Sequence, residues 1–147
     1  MKNGAGRKKL LEEIQQEKRH IDKTLEMLLA ARRKRIIHDD NLVAMSVYIR
    51  DVYMGIENVI RRILQEKGIS IVKTDSWHKE LLSKSVECGA ISEGLRETLV
   101  GYLNFRHLQT HGYSHMMKWE KMKPLADKAE DTANRFFSEL KQNGYSS

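Results

Sequence analysis

The stretch "FRHLQTHGYSH", Phe105–His115, holds three of the chain's six histidines, an arginine and a tyrosine. Such a concentration supports three kinds of chemistry. His107, His111 and His115 stand four apart, and on an unbroken helix they would share a face, as zinc ligands can. Against a metal, Gly112 reads as a helix stop between the second and third histidine, and no cysteine or carboxylate stands at a compatible nearby spacing. The second chemistry pairs Arg106 with His111. RNA carries its own nucleophile, the 2′-hydroxyl. A histidine is poised near neutral pH to take that proton, and an arginine fork matches the oxygens of the phosphorane. This reaction needs neither a metal nor another cofactor. The third reading is a polar helix end whose histidines favour the negative end of the helix dipole.

Geometry constrains the second reading. Five residues along an ideal helix turn the side chain by about 140°, so Arg106 and His111 do not share a face. They converge if the helix unwinds at His111–Gly112, or if the site forms between two copies across a two-fold axis.

The elements that must position these residues are helical. Leu10, Leu11, Ile14, Ile21, Leu25, Leu28 and Leu29 follow three-four spacing and predict a first helix from about Arg7 to Arg35. Asp39, Asp40 and Asn41 offer caps for a second, in which Val43, Val47, Tyr53, Ile56, Val59, Ile60, Ile63 and Leu64 keep the period until Gly68 stops it. The β-branched "ISIVKTD" is isolated and reads as a loop or extended connector. A short third helix, "WHKELLSKSVE", ends at Cys88–Gly89. Ser92 caps a fourth, with Glu93 in its first turn and a stripe of Leu95, Leu99, Val100 and Leu103. The last starts near Trp119 or Pro124 and runs to Lys141. Its Met122, Ala126, Ala129, Ala133, Phe136 and Leu140 alternate four and three, a seam for another helix. The predicted fold is all-α: four long helices plus a short one. Residues 1–6 are expected to form a tail, 7–142 a single domain, and 143–147 a frayed end.

At 147 residues, 40% hydrophobic and 31% charged, the chain has the balance of one globular domain. It has no run of about 18 apolar residues that would cross a membrane. Its single cysteine excludes an internal disulfide and a multi-cysteine zinc site. That cysteine, and an opening "MKNGAGRKKLLEEIQQ" without the apolar core of a signal peptide, point to the cytoplasm. The formal net charge is +6. Basic groups at Arg32–Arg35, at Arg61, Arg62 and Lys67, and at Lys118, Lys121 and Lys123 suit either solvated helix faces or a nucleic-acid partner.

"RHLQTHGY" has the form Arg-x4-His-x-Tyr. It resembles the signature of HEPN-domain proteins, and of the HepT-like toxin ribonucleases among them. "VYMGIENVIRRI" (Val52–Ile63), "DSWHKELL" (Asp75–Leu82) and "FRHLQTHGYSHMMKWEKMKPL" (Phe105–Leu125) resemble, in order and spacing, segments of a HepT-like subgroup. The resemblance implies a dimeric all-α HEPN bundle with a metal-independent RNase site at the dimer cleft. Arg106 and His111 match the catalytic pair. His107 occupies the polar position after the arginine, where it would help orient the scissile phosphate. Tyr113 matches a tyrosine that a partner nucleotidyltransferase, acting as antitoxin, modifies with AMP; the added phosphate would block an RNA site by bulk and like charge. Thr110 departs from the pattern, which often has a second arginine before the histidine. Some HEPN proteins are non-catalytic partners of nucleotidyltransferases or bind nucleotides, and that is the alternative reading.

The remaining site candidates have plain roles beside the functional ones. Trp77 and His78 belong to the shared segments, yet a tryptophan at a helix start favours a core anchor. Glu57 stands four residues before Arg61, the spacing of an ordinary surface pair; buried and bonded to Arg106 or His78 it would orient the cation. Tyr53 and Tyr102 read as packing residues.

Overall fold

A computed structural model of the chain describes residues 4–34, 39–110 and 118–145. Among them are five helices, α1 (Gly4–Arg32), α2 (Asp39–Glu66), α3 (Trp77–Glu87), α4 (Glu93–Thr110) and α5 (Trp119–Gln142), and no strand. The all-α prediction holds, and the "ISIVKTD" segment is an irregular connector. α3 has the predicted bounds, while α1 starts earlier than predicted, at Gly4.

α2 packs against every other helix, most extensively against α1. A central helix must bury more than one stripe. Met45, Ile49, Val52, Tyr53, Ile56, Val59, Ile60, Ile63 and Leu64 are accordingly all buried. The predicted stripe needs correcting at its start. Val43 is 60% exposed, because the row containing Tyr53 continues backward at four-residue steps through Ile49 and Met45. The α5 seam is as expected, with all six of its predicted residues buried. Its alanines let α5 approach closely. α5 begins at Trp119, the earlier of the two expected starts, and Pro124 lies inside it.

α1 and α2 cross at Gly55. A Cβ added there would lie 2.6 Å from Cγ1 and 2.9 Å from Cδ1 of Ile21, itself buried in the core. Gly55→Ala sets an overpacking cost of about 1–3 kcal/mol against a helix-propensity gain of about 1 kcal/mol. A net loss of about 1 kcal/mol is expected, read as a lower urea midpoint with unchanged m.

Three helix ends share one device. Gly68, Gly89 and Gly144 have φ of 73°, 78° and 89°. After each glycine the next residue's N–H turns back into the helix: Ile69 to the Leu64 carbonyl, Ala90 to Ser85 and Tyr145 to Leu140. These are Schellman closures, and only glycine adopts the left-handed turn without strain. The third corrects the expected fraying of the C-terminus as far as residue 145. Tyr145 is buried, and Asn143 Nδ2 donates to the Ala90 carbonyl. Packing of an apolar ring fixes what composition suggested was loose.

Ser92 caps α4 as predicted, its Oγ accepting from the Leu95 N–H at 3.2 Å. Glu139 of α5 secures that turn, accepting from the Ser92 N–H and Oγ–H at 2.6 and 2.9 Å. The start of α4 is thereby fixed to α5, and its far end carries Arg106. The expected stop at Gly112 lies outside the described residues, as do Arg35 and the side chains of Asp39 and Asp40.

Candidate functional site

Four side chains from three helices meet in one line. Tyr53 and Glu57 stand one turn apart on α2, His78 is the second residue of α3, and Arg106 lies near the end of α4. Glu57 is 6% exposed, and a buried carboxylate is costly unless it is hydrogen-bonded. His78 supplies the bond, its Nδ1 standing 2.9 Å from Glu57 Oε2. The opposite ring nitrogen, Nε2, lies 3.5 Å from a terminal nitrogen of Arg106.

These contacts assign the histidine's proton. A guanidinium has no acceptor, so Nε2 must accept from Arg106. Nδ1 then carries the hydrogen and donates it to Glu57. The ring bridges the buried Glu57 carboxylate to the Arg106 guanidinium. Carboxylate–imidazole couples fix ring orientation in the same way elsewhere.

Tyr53 closes the inner end. Burial, and then the neighbouring Glu57 charge, push its phenol well above the ordinary range, so it stays neutral. Among the described residues its hydroxyl makes no hydrogen bond of good geometry, and neither does the buried Nε of Arg106. The indole of Trp77 covers His78, with ring centroids 3.7 Å apart and planes tilted by 32°.

Several sequence expectations meet this geometry. Glu57 is not the surface partner of Arg61. It turns inward to His78, and a terminal nitrogen of Arg61 donates instead to the Asn58 side-chain oxygen. The reason lies in burial: Glu57 sits on the core side of α2, where His78 is the polar group within reach. Trp77 is half-buried but stands apart from the core cluster, so it is a wall of the site rather than a core anchor. Tyr102 is the packing residue expected, donating to the Leu125 carbonyl at 2.7 Å. His107 and Thr110 are exposed on α4. His111, Tyr113 and His115 lie outside the described residues. Among the described residues, no three His, Cys, Asp or Glu side chains are grouped to hold a metal.

The basic groups are partly neutralised. Arg32 pairs with Asp127, and Arg62 with Glu13 and Glu17. Lys123, and then Arg32, hold the Asp127 carboxyl below its usual range. Sequence reasoning did not single out Arg50, whose guanidinium donates to Gln109 near the end of α4 at 3.2 Å. No periodicity or motif marks that pair, since its partners are 59 residues apart.

Five helices and no strand among the described residues form a HEPN-type helical bundle. A family model described as HepT-like protein matches residues 44–144, more than half of the chain, and the chain belongs to that HepT-like family. The matched span contains Tyr53, Glu57, His78 and Arg106. No curated protein and no solved structure matches the chain.

Proposed function

We propose that this HepT-like chain is a metal-independent endoribonuclease, the toxin of a toxin–antitoxin pair with a nucleotidyltransferase, acting in the cytoplasm as a homodimer. The observation that carries the reading is the Glu57–His78–Arg106 line. A buried carboxylate and an imidazole hold one guanidinium near the end of α4, next to the sequence that supplies His111. That is what phosphate-directed catalysis asks of a protein: a pre-positioned cation whose orientation costs nothing at the moment of reaction.

In the proposed reaction His111 takes the proton of an RNA 2′-hydroxyl. The 2′-oxygen attacks the adjacent phosphorus, and Arg106 neutralises the charge gathering on the phosphorane oxygens. The bond to the 5′-oxygen breaks, that oxygen takes up a proton from the protonated His111 or from water, and the products are a 2′,3′-cyclic phosphate and a 5′-hydroxyl. His107 and Tyr113 would border the substrate. AMP attached to Tyr113 by the antitoxin would close the site with added negative charge.

Thr110 favours a second reading, a non-catalytic HEPN module that binds a nucleotidyltransferase or a nucleotide, because it removes a cation the resemblance leads one to expect. One experiment separates the two. Purified chain is incubated with end-labelled RNA in excess chelator, beside the Arg106→Ala/His111→Ala variant. Cleavage by wild type alone, leaving cyclic phosphate ends, is expected. A folded dimer that cleaves nothing would select the non-catalytic module.

A further inference from the structure

Beside the Glu57–His78–Arg106 line lies a cavity of about 380 Å³ that the proposed reaction does not use. It opens between the end of α2, the connector after it and the start of α3. Leu64, Ile69, Ile71 and Leu81 are its apolar part, and Arg61, Lys73 and Trp77 stand at its polar and aromatic wall. The volume falls within the range of about 300–1,000 Å³ typical of small-molecule sites.

Two cations, Arg61 and Lys73, stand at its wall. Arg32, Arg62 and Lys123 are held by carboxylates. Arg61 would have Glu57 one turn away, but His78 has taken that carboxylate, and Arg61 meets only the neutral amide of Asn58. Lys73 places its ammonium 5.7 Å from the centroid of the Trp77 ring. Among the described residues neither cation forms an ion pair. The inward turn of Glu57 therefore does two things: it orients Arg106, and it leaves Arg61 with an uncompensated charge at the cavity wall.

We propose that this cavity is a subsite for one nucleoside phosphate, with Arg61 and Lys73 taking the phosphate and Trp77 the base. An arginine fork and a lysine ammonium are the groups that bind phosphate oxygens. An indole accepts any base by stacking, worth about 1–3 kcal/mol per base. The Lys73 ammonium, on an exposed connector residue, gives up its place over the ring to the base and follows the phosphate. Trp77 also stacks on His78, which joins Arg106. The subsite thus adjoins the reacting centre, a placement that rests on the ribonuclease reading. Its occupant is either a nucleotide of the RNA strand flanking the scissile bond or a free mononucleotide.

The test uses binding, so it succeeds or fails independently of cleavage. The chain has two tryptophans; in the full-length Trp119→Phe background Trp77 alone reports. Its fluorescence is titrated with adenosine monophosphate and with a 2′-O-methyl trinucleotide that cannot be cleaved. Saturable quenching is expected. Arg61→Ala/Lys73→Ala should weaken binding at least ~10-fold and flatten the log–log salt dependence by about 0.7 per phosphate charge no longer neutralised. Quenching by the trinucleotide alone assigns the subsite to the strand, and quenching by the mononucleotide as well assigns it to free nucleotide too. If Trp119→Phe fails to fold, the same titrations are read by calorimetry on wild type. Absence of saturable binding by either probe, or binding unchanged in the double variant, would overturn the subsite. A chain that binds both probes yet cleaves no RNA keeps the subsite and loses the ribonuclease reading.

Discussion

Arg106→Ala is expected to lower single-turnover RNA cleavage by about 10²–10³-fold, the loss of about 2.7–4 kcal/mol that follows removal of one fixed group stabilising a developing oxyanion. The effect should fall on the rate at saturating RNA, because the phosphorane carries more charge than the ground-state phosphodiester. Folding should be little changed. Arg106 sits at the outer end of the line, and Glu57 keeps its bond to His78 without it. Arg106→Lys should recover only a small part of the rate. A lysine restores the charge but not the fork, and its compact ammonium does not have the guanidinium geometry that reaches His78 Nε2. Single-turnover rates at saturating RNA, with thermal midpoints of both variants, check this. Equal rates for wild type and Arg106→Ala would remove the arginine from the chemistry.

Glu57→Ala is the second large effect. It strips the acceptor from His78 Nδ1 and leaves a buried donor unsatisfied, at a cost of about 1–3 kcal/mol in stability. It also frees the imidazole to turn, so that Arg106 loses its seat. A displacement of the order of 1 Å at a catalytic group can cost about 10²-fold, and a loss of that order in cleavage rate is expected, with little change in the concentration of RNA that half-saturates. In the proposed reaction Glu57 is a positioning residue that acts through its bond to His78. Glu57→Gln separates the two roles. Its amide oxygen can still accept from Nδ1, so stability should largely return and the rate should return in part. A merely structural Glu57 would instead give a rate that tracks the folded fraction, with both variants equal to wild type once folded protein is counted.

Much of this was legible in the sequence, for identifiable reasons. The α5 seam reads cleanly because its burial is one-sided, and a one-sided stripe has one period. Ser92 and Gly89 are legible because capping and left-handed turns demand particular residue types. The start of the α2 stripe was misplaced because α2 is buried on several sides, so that a single period fits more than one register there. Arg106 was found through its motif. Its partners were harder to see. Glu57 offers the same four-residue spacing to Arg61 that a surface pair would, and the choice between Arg61 and His78 is made by which side of α2 faces the core. That is a tertiary fact, invisible to spacing. The fastened C-terminus escaped composition for a similar reason: Tyr145 is anchored by contacts with residues far away in the chain.

The most direct test is a double-mutant cycle on RNA cleavage in excess chelator, using wild type, Glu57→Ala, Arg106→Ala and the double variant. If Glu57 acts through His78 upon Arg106, the double variant should be no slower than Arg106→Ala alone, because removing Glu57 has nothing further to disturb once Arg106 is gone. Losses that multiply in the double variant would contradict the line as a working unit, and would leave Glu57 and His78 as structural neighbours of an arginine that needs no help from them.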